Sequence, residues 1–137
     1  MDCGMQDFDD SGLASIAGTP SKEARVLAAL GHAIAFSGLF TWGVGSLLGP
    51  LLVWAAYRDV MPFVGGHARE ALNFNLTVLL VCAVLAVPAL VIFGAGLLFV
   101  PLILIVVFCW LVLTFFAMLK AGLGLAYRYP FALRLIR

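Results

Sequence analysis

Two long stretches of the chain carry no charge at all. One runs from Val26 through Tyr57, 32 residues, and the other from Ala71 through Leu119, 49 residues. About 18 apolar residues already suffice for one helix that crosses a bilayer. The longer run would make about 74 Å of helix against a hydrocarbon core of about 30 Å, so it must hold two spans and a turn. Gly94 and Gly96 mark that turn, with Pro101 near the start of the second span, where its missing amide proton costs little. Pro88, deeper in the first span, predicts a kink.

The shorter run would make about 48 Å of helix, too long for one ordinary crossing and short for two. Charge placement decides between them. If Thr41 to Gly49 (TWGVGSLLG) turns the chain, the run is a short hairpin, and all eight basic residues fall on one side: Lys22, Arg25, Arg58, Arg69, Lys120, Arg128, Arg134 and Arg137. A single crossing splits them two against six, a weaker fit to the positive-inside rule. The expected fold is therefore all-α and polytopic, with four helical membrane segments forming two hairpins, at about 22–41, 47–58, 69–93 and 97–120. The second segment is short, re-entrant or reaching part-way through the bilayer. Thr19 and Pro20 are the expected cap and first residue of the first helix, with Glu23 in its first turn. Residues 1–20 read as an acidic flexible tail and 21–137 as one helical membrane domain.

Composition agrees with lipid as the solvent. Of 137 residues, 64% are hydrophobic and 11% charged, with a mean hydropathy of +1.14, against about 45–50% apolar in soluble domains. The acidic start MDCGMQDFDD has no basic segment leading into an apolar one, so a cleavable secretion signal is not expected. The expected location is a bacterial inner membrane with both termini cytoplasmic. A net charge of +1 with scattered basic residues gives no nucleic-acid footprint. Cys3, Cys82 and Cys109 lack any ligand or CxxC spacing and read as packing residues.

Polar chemistry gathers in MPFVGGHAREALNFN, residues 61–75, which joins the hairpins at the membrane surface; Gly65 and Gly66 are expected to turn the chain there. His67 and Glu70, three apart, share a helix face but lack further ligands, so they read as a surface pair capping the helix, and no metal or cofactor site is expected. Asn73 and Asn75 enter the apolar run, where an amide needs a partner or a hydrated path. His32 is the lead candidate, the one group well inside a span that titrates near neutral pH. Ala24, Ala28, Gly31, Ala35 and Gly38 recur at steps of four and three, a stripe of small residues that lets helices approach closely, within one chain or between copies. The ending YRYPFALRLIR reads as an interfacial anchor over 121–137. No triad, HExxH or phosphate-cradling loop is present, so no catalytic residue and no enzyme is expected.

The segments SKEARVLAALGHAIAFSG, GPLLVWAAYRDVMPFVGGHAREALNFN and AYRYPFALRLIR together resemble a family of small bacterial and archaeal membrane proteins of unknown function, similar to the Tic20-like component of the chloroplast import apparatus. The resemblance covers about Ser21 to Ile136 and rests on Pro50, Trp54, Pro62, Phe63, His67, Asn73, Phe74, Tyr127, Tyr129 and Pro130. Gly65 and Gly66 depart from it, standing where many members have acidic or polar residues. It implies a four-helix architecture and, by the plant relatives, a part in a protein-import channel. Two functions follow as expectations: an accessory or homo-oligomeric helix-packing component in the lipid bilayer with a membrane-protein partner, or a subunit of a transport or translocation pore lined by His32, Asn73 and Asn75.

Overall fold

The computed structural model describes residues 19–92, 94 and 96–136, so the acidic tail, apart from its last two residues, lies outside them. The described chain is all-helical. Its α-helices are α1 (Lys22–Ala33), continued by a 3-10 helix over Ile34–Leu39, α2 (Val44–Tyr57), α3 (Pro62–Val91) and α4 (Gly96–Gly122).

Helix α1 is capped by Ser21, whose Oγ accepts from the Ala24 amide at 3.1 Å, rather than by Thr19. Ser21 stands three residues before the amide it caps, the reach a cap side chain has. The five small residues of the stripe, Ala24, Ala28, Gly31, Ala35 and Gly38, are all buried inside this one chain. The turn that follows is tighter than the expected Thr41–Gly49. Gly43 adopts φ +88° and the Thr41 hydroxyl accepts from the Gly45 amide at 2.7 Å, so α2 starts at Val44. Ser46 comes so close to Gly38 that a Cβ there would lie 2.7 Å from Ser46 Cβ, and Gly49 presses likewise on Ile34.

Gly65 and Gly66 do not turn the chain, as the sequence had suggested; they lie in the first turns of α3, and the reversal occurs just before, at Arg58–Met61. Gly65 serves close approach instead: a Cβ there would sit 2.6 Å from Arg58 Cα, whereas one on Gly66 would meet nothing. At the other end of α3, Gly94 turns the chain at φ +81° and Gly96 begins α4.

Helices α3 and α4, at 30 and 27 residues, are long and apolar enough to cross a membrane, with mean hydropathies of 2.5 and 3.0 over their best windows. Only 11% and 6% of those windows is buried within the molecule, the reverse of a soluble core helix. The first hairpin is shorter. Its tip, Gly43, abuts Leu79 near the middle of α3, and Trp42 shares a cavity wall with Cys82 and Val107. Past that level the long hairpin stands alone, with Leu90 and Leu97 almost fully exposed. Below it lies the core of Ala35, Phe74, Trp110, Ala117 and Tyr129.

The ending does more than anchor at an interface. Gly124, at φ +77°, packs against Arg25 and Pro20, and the non-helical strap 125–136 then folds back along α3.

The glycine pair gives opposite signs to one substitution. Gly66→Ala should raise stability by about 0.5–1 kcal/mol through lost chain entropy in the unfolded state. Gly65→Ala should lower it by about 1–3 kcal/mol by overpacking against Arg58. Unfolding of each variant in the same detergent checks both.

Candidate functional site: a buried polar chain at the base of the bundle

Side chains from α1, α3 and the strap meet in one buried line. His32 on α1 is wholly buried, with Nε2 3.0 Å from Nδ1 of His67 on α3. Its Nδ1 lies 3.0 Å from the Tyr129 hydroxyl on the strap. Tyr129 stacks on Phe74 at 4.0 Å between centroids and 12° between planes, while Phe63 closes over His67 at 4.6 Å. Thr114, the one hydroxyl residue of α4, lies at the phenol beyond hydrogen-bonding geometry. Burial pushes the Tyr129 hydroxyl well above the usual phenol range, so it stays neutral and able to donate.

A neutral imidazole has one N–H and one bare nitrogen, so hydrogen bonds along this line must all point one way. Either Tyr129 donates to His32 and His32 to His67, or His67 donates to His32 and His32 to Tyr129. Either arrangement braces the three elements; passing from one to the other needs a proton taken up at the Tyr129 hydroxyl and one released from His67 Nε2. The two ends of the line, His67 Nε2 and Thr114 Oγ1, are buried without a hydrogen-bond partner among the described residues.

The two asparagines serve two other joints. Asn73 Oδ1 accepts from the Leu135 and Ile136 amides at 3.1 and 2.8 Å, and its Nδ2 donates to the Ile136 carbonyl at 3.0 Å. One turn on, the Thr77 hydroxyl accepts from the Leu133 amide at 2.9 Å and donates to the Asn73 carbonyl at 2.7 Å. Non-helical backbone against a membrane helix needs partners of this kind. Asn75, also buried, takes the Trp110 indole N–H at 2.6 Å and gives its amide to the Ser46 carbonyl at 2.8 Å, tying α2, α3 and α4 together.

His67 and Glu70 are not the surface pair the sequence suggested: 4% and 8% of each is exposed, because the strap covers them. Arg134 of the strap approaches Glu70 Oε1 at 3.8 Å, and Glu70 Oε2 is buried without a partner among the described residues. Among those residues no group of three or more His, Cys, Asp or Glu lies together as a metal site. Of the other signature positions, Pro50 is buried in α2, Trp54 lies under the Arg58 guanidinium at 4.8 Å, and Tyr127 meets Tyr129 edge-on at 5.1 Å. Pro62 opens α3, and Pro130 is an exposed residue of the strap. Thr77, Trp110, Thr114 and Ser46 escaped the sequence reading. The signal was there for Thr77 and Thr114, isolated hydroxyls in an apolar run.

Asn75→Leu should cost about 1–3 kcal/mol, since it leaves the Trp110 N–H and the Ser46 carbonyl buried and unpaired. Trp110→Phe combined with it should cost less than the two changes summed, because the phenyl ring has no N–H to strand. Denaturation in mixed micelles of the two single variants and the double variant measures the coupling.

With the base of the bundle in view, the chain can be set beside known proteins. No curated protein and no solved structure matches it. The expected likeness to a small membrane-protein family holds at that level, but none of the comparisons returns a Tic20-like relative. One family model matches residues 23–136, from the first turn of α1 to the Asn73 clamp on the strap. That model is the MamF/MmsF group, and the chain belongs to the magnetosome magnetite crystal formation protein family.

Proposed function

We propose that the chain is a non-enzymatic, integral component of the magnetosome membrane that takes part in magnetite crystal formation as a small helix-packing subunit. The family match over residues 23–136 carries this reading. In this reading the membrane is that of the magnetosome. The geometry supports a packing role, since His32, Asn73 and Asn75 all spend their polar groups on partners within the same molecule. A pore reading needs those groups free to line a path, and no observation favours it.

In this reading α3 and α4 each cross the bilayer. Ala71 to Val91 makes about 31 Å of helix, matching the hydrocarbon core. The hairpin of α1 and α2 enters from the same side and stops near mid-bilayer, beside Leu79. Both termini and the basic residues then lie on one side, the cytoplasmic one.

Two measurements test the reading. A magnetite-forming cell that lacks this chain should make smaller or fewer crystals by electron microscopy, with wild type restored by the intact gene; unaltered crystals would overturn the functional assignment. In a cysteine-free background, Gly94→Cys should react with an impermeant thiol reagent only from the side opposite the termini, and Trp42→Cys from neither side. Labelling of Trp42→Cys from the far side would show a full crossing instead.

A further inference from the structure

The strap and α3 enclose two adjoining clefts at the base of the bundle, of about 350 and 370 Å³, which share Arg69, Glu70 and Arg128 in their walls. Arg134 and Asn73 line the first and His67 the second. Arg69, Arg128 and Arg134 are exposed at the rim, whereas Glu70 is buried at the floor.

Two demands are left open there. Three arginines and one carboxylate line these walls, an excess of positive charge suited to a phosphate, which arginine forks bind in bidentate fashion. Arg134 stays 3.8 Å from Glu70 Oε1, beyond a hydrogen bond, and Oε2 is buried without a partner among the described residues, so the carboxylate calls for a closer donor at Oε1. Inorganic phosphate would meet the first demand and worsen the second by repulsion from Glu70. A metal cation would do the reverse. A ligand with a phosphodiester and a short-tethered ammonium meets both.

Apolar walls stand beside the clefts. Leu133 and Leu135 flank Arg134 on the strap and are about half exposed or more, and Phe131 is 93% exposed. On α3, charge ends at Glu70 and the uncharged run begins at Ala71. A headgroup seated on the arginines therefore leaves its acyl chains along an apolar face.

We propose that the cleft between α3 and the strap binds the headgroup of a phosphatidylethanolamine lipid, its phosphate on Arg69, Arg128 and Arg134 and its ammonium on the Glu70 carboxylate at Oε1. The site rests on the membrane placement given above, which cysteine labelling tests separately.

Native mass spectrometry of the full chain in neutral detergent, with dioleoyl lipids added in equal amounts, provides the test. Phosphatidylethanolamine should be retained about tenfold over phosphatidylcholine, whose quaternary ammonium has no N–H to give Glu70. The double variant Arg69→Gln, Arg128→Gln should lose about tenfold in retention without a change in melting temperature, because both side chains are exposed. Glu70→Gln should abolish the preference between the two lipids. Equal retention of both lipids by the wild-type chain would overturn the ammonium contact, and preference for phosphatidylglycerol would make the site a plain anion site. Displacement of the lipid by millimolar inorganic phosphate would make it a site for soluble phosphate. Each of these three outcomes rejects the proposal, whether or not the chain acts in crystal formation.

Discussion

Backbone that leaves a helix beside a membrane helix must find other partners for the groups it keeps from water, and in the strap Asn73 supplies the first of them. Its amide closes three hydrogen bonds on Leu135 and Ile136, and Thr77 adds a fourth on Leu133. Most of the base depends on that clamp. It holds the strap in register, so that Tyr129 reaches His32, Arg134 reaches Glu70, and the ring of Tyr129 stacks on Phe74. With the strap released, His67 and Glu70 would face solvent, and the clefts would lose one wall.

Internal satisfaction of polar groups also explains how the chain divides its chemistry. Two polar side chains deep in the bundle join different elements: Asn75 joins α2 to α4 through α3, and His32 joins α1 to α3 and to the strap. In lipid there is little hydrophobic force between helices, so such bonds and the close contacts of small residues hold the bundle together. The small stripe on α1 and the glycines of α2 supply the second kind. The unpaired atoms collect at the base, His67 Nε2 and Glu70 Oε2 among them.

Elements that depend on local composition could be read from the sequence. The uncharged runs predict helices and the number of turns, Gly94 marks its turn because a positive φ favours glycine, and the stripe on α1 identifies its buried face. Other features needed distant contacts. Gly65 and Gly66 look like a turn, yet the first answers to the backbone of Arg58 and the second to nothing nearby. Glu70 looks like a surface acid until the strap, more than fifty residues on, covers it. His32, Asn73 and Asn75 stood out as polar residues in apolar surroundings; their pairing did not, because His67 and Tyr129 lie far along the chain from His32 and Trp110 reads as one more apolar residue of α4.

The unequal length of the two hairpins has a consequence for the shape presented to lipid. At its base the molecule is four helices and a strap in cross-section; beyond Gly43 and Leu79 it is two helices. Placed as proposed, it takes up about twice the helical area in one leaflet that it takes in the other. Such a wedge fits with least lipid strain where the wider leaflet has the larger area, on the convex face of a small vesicle.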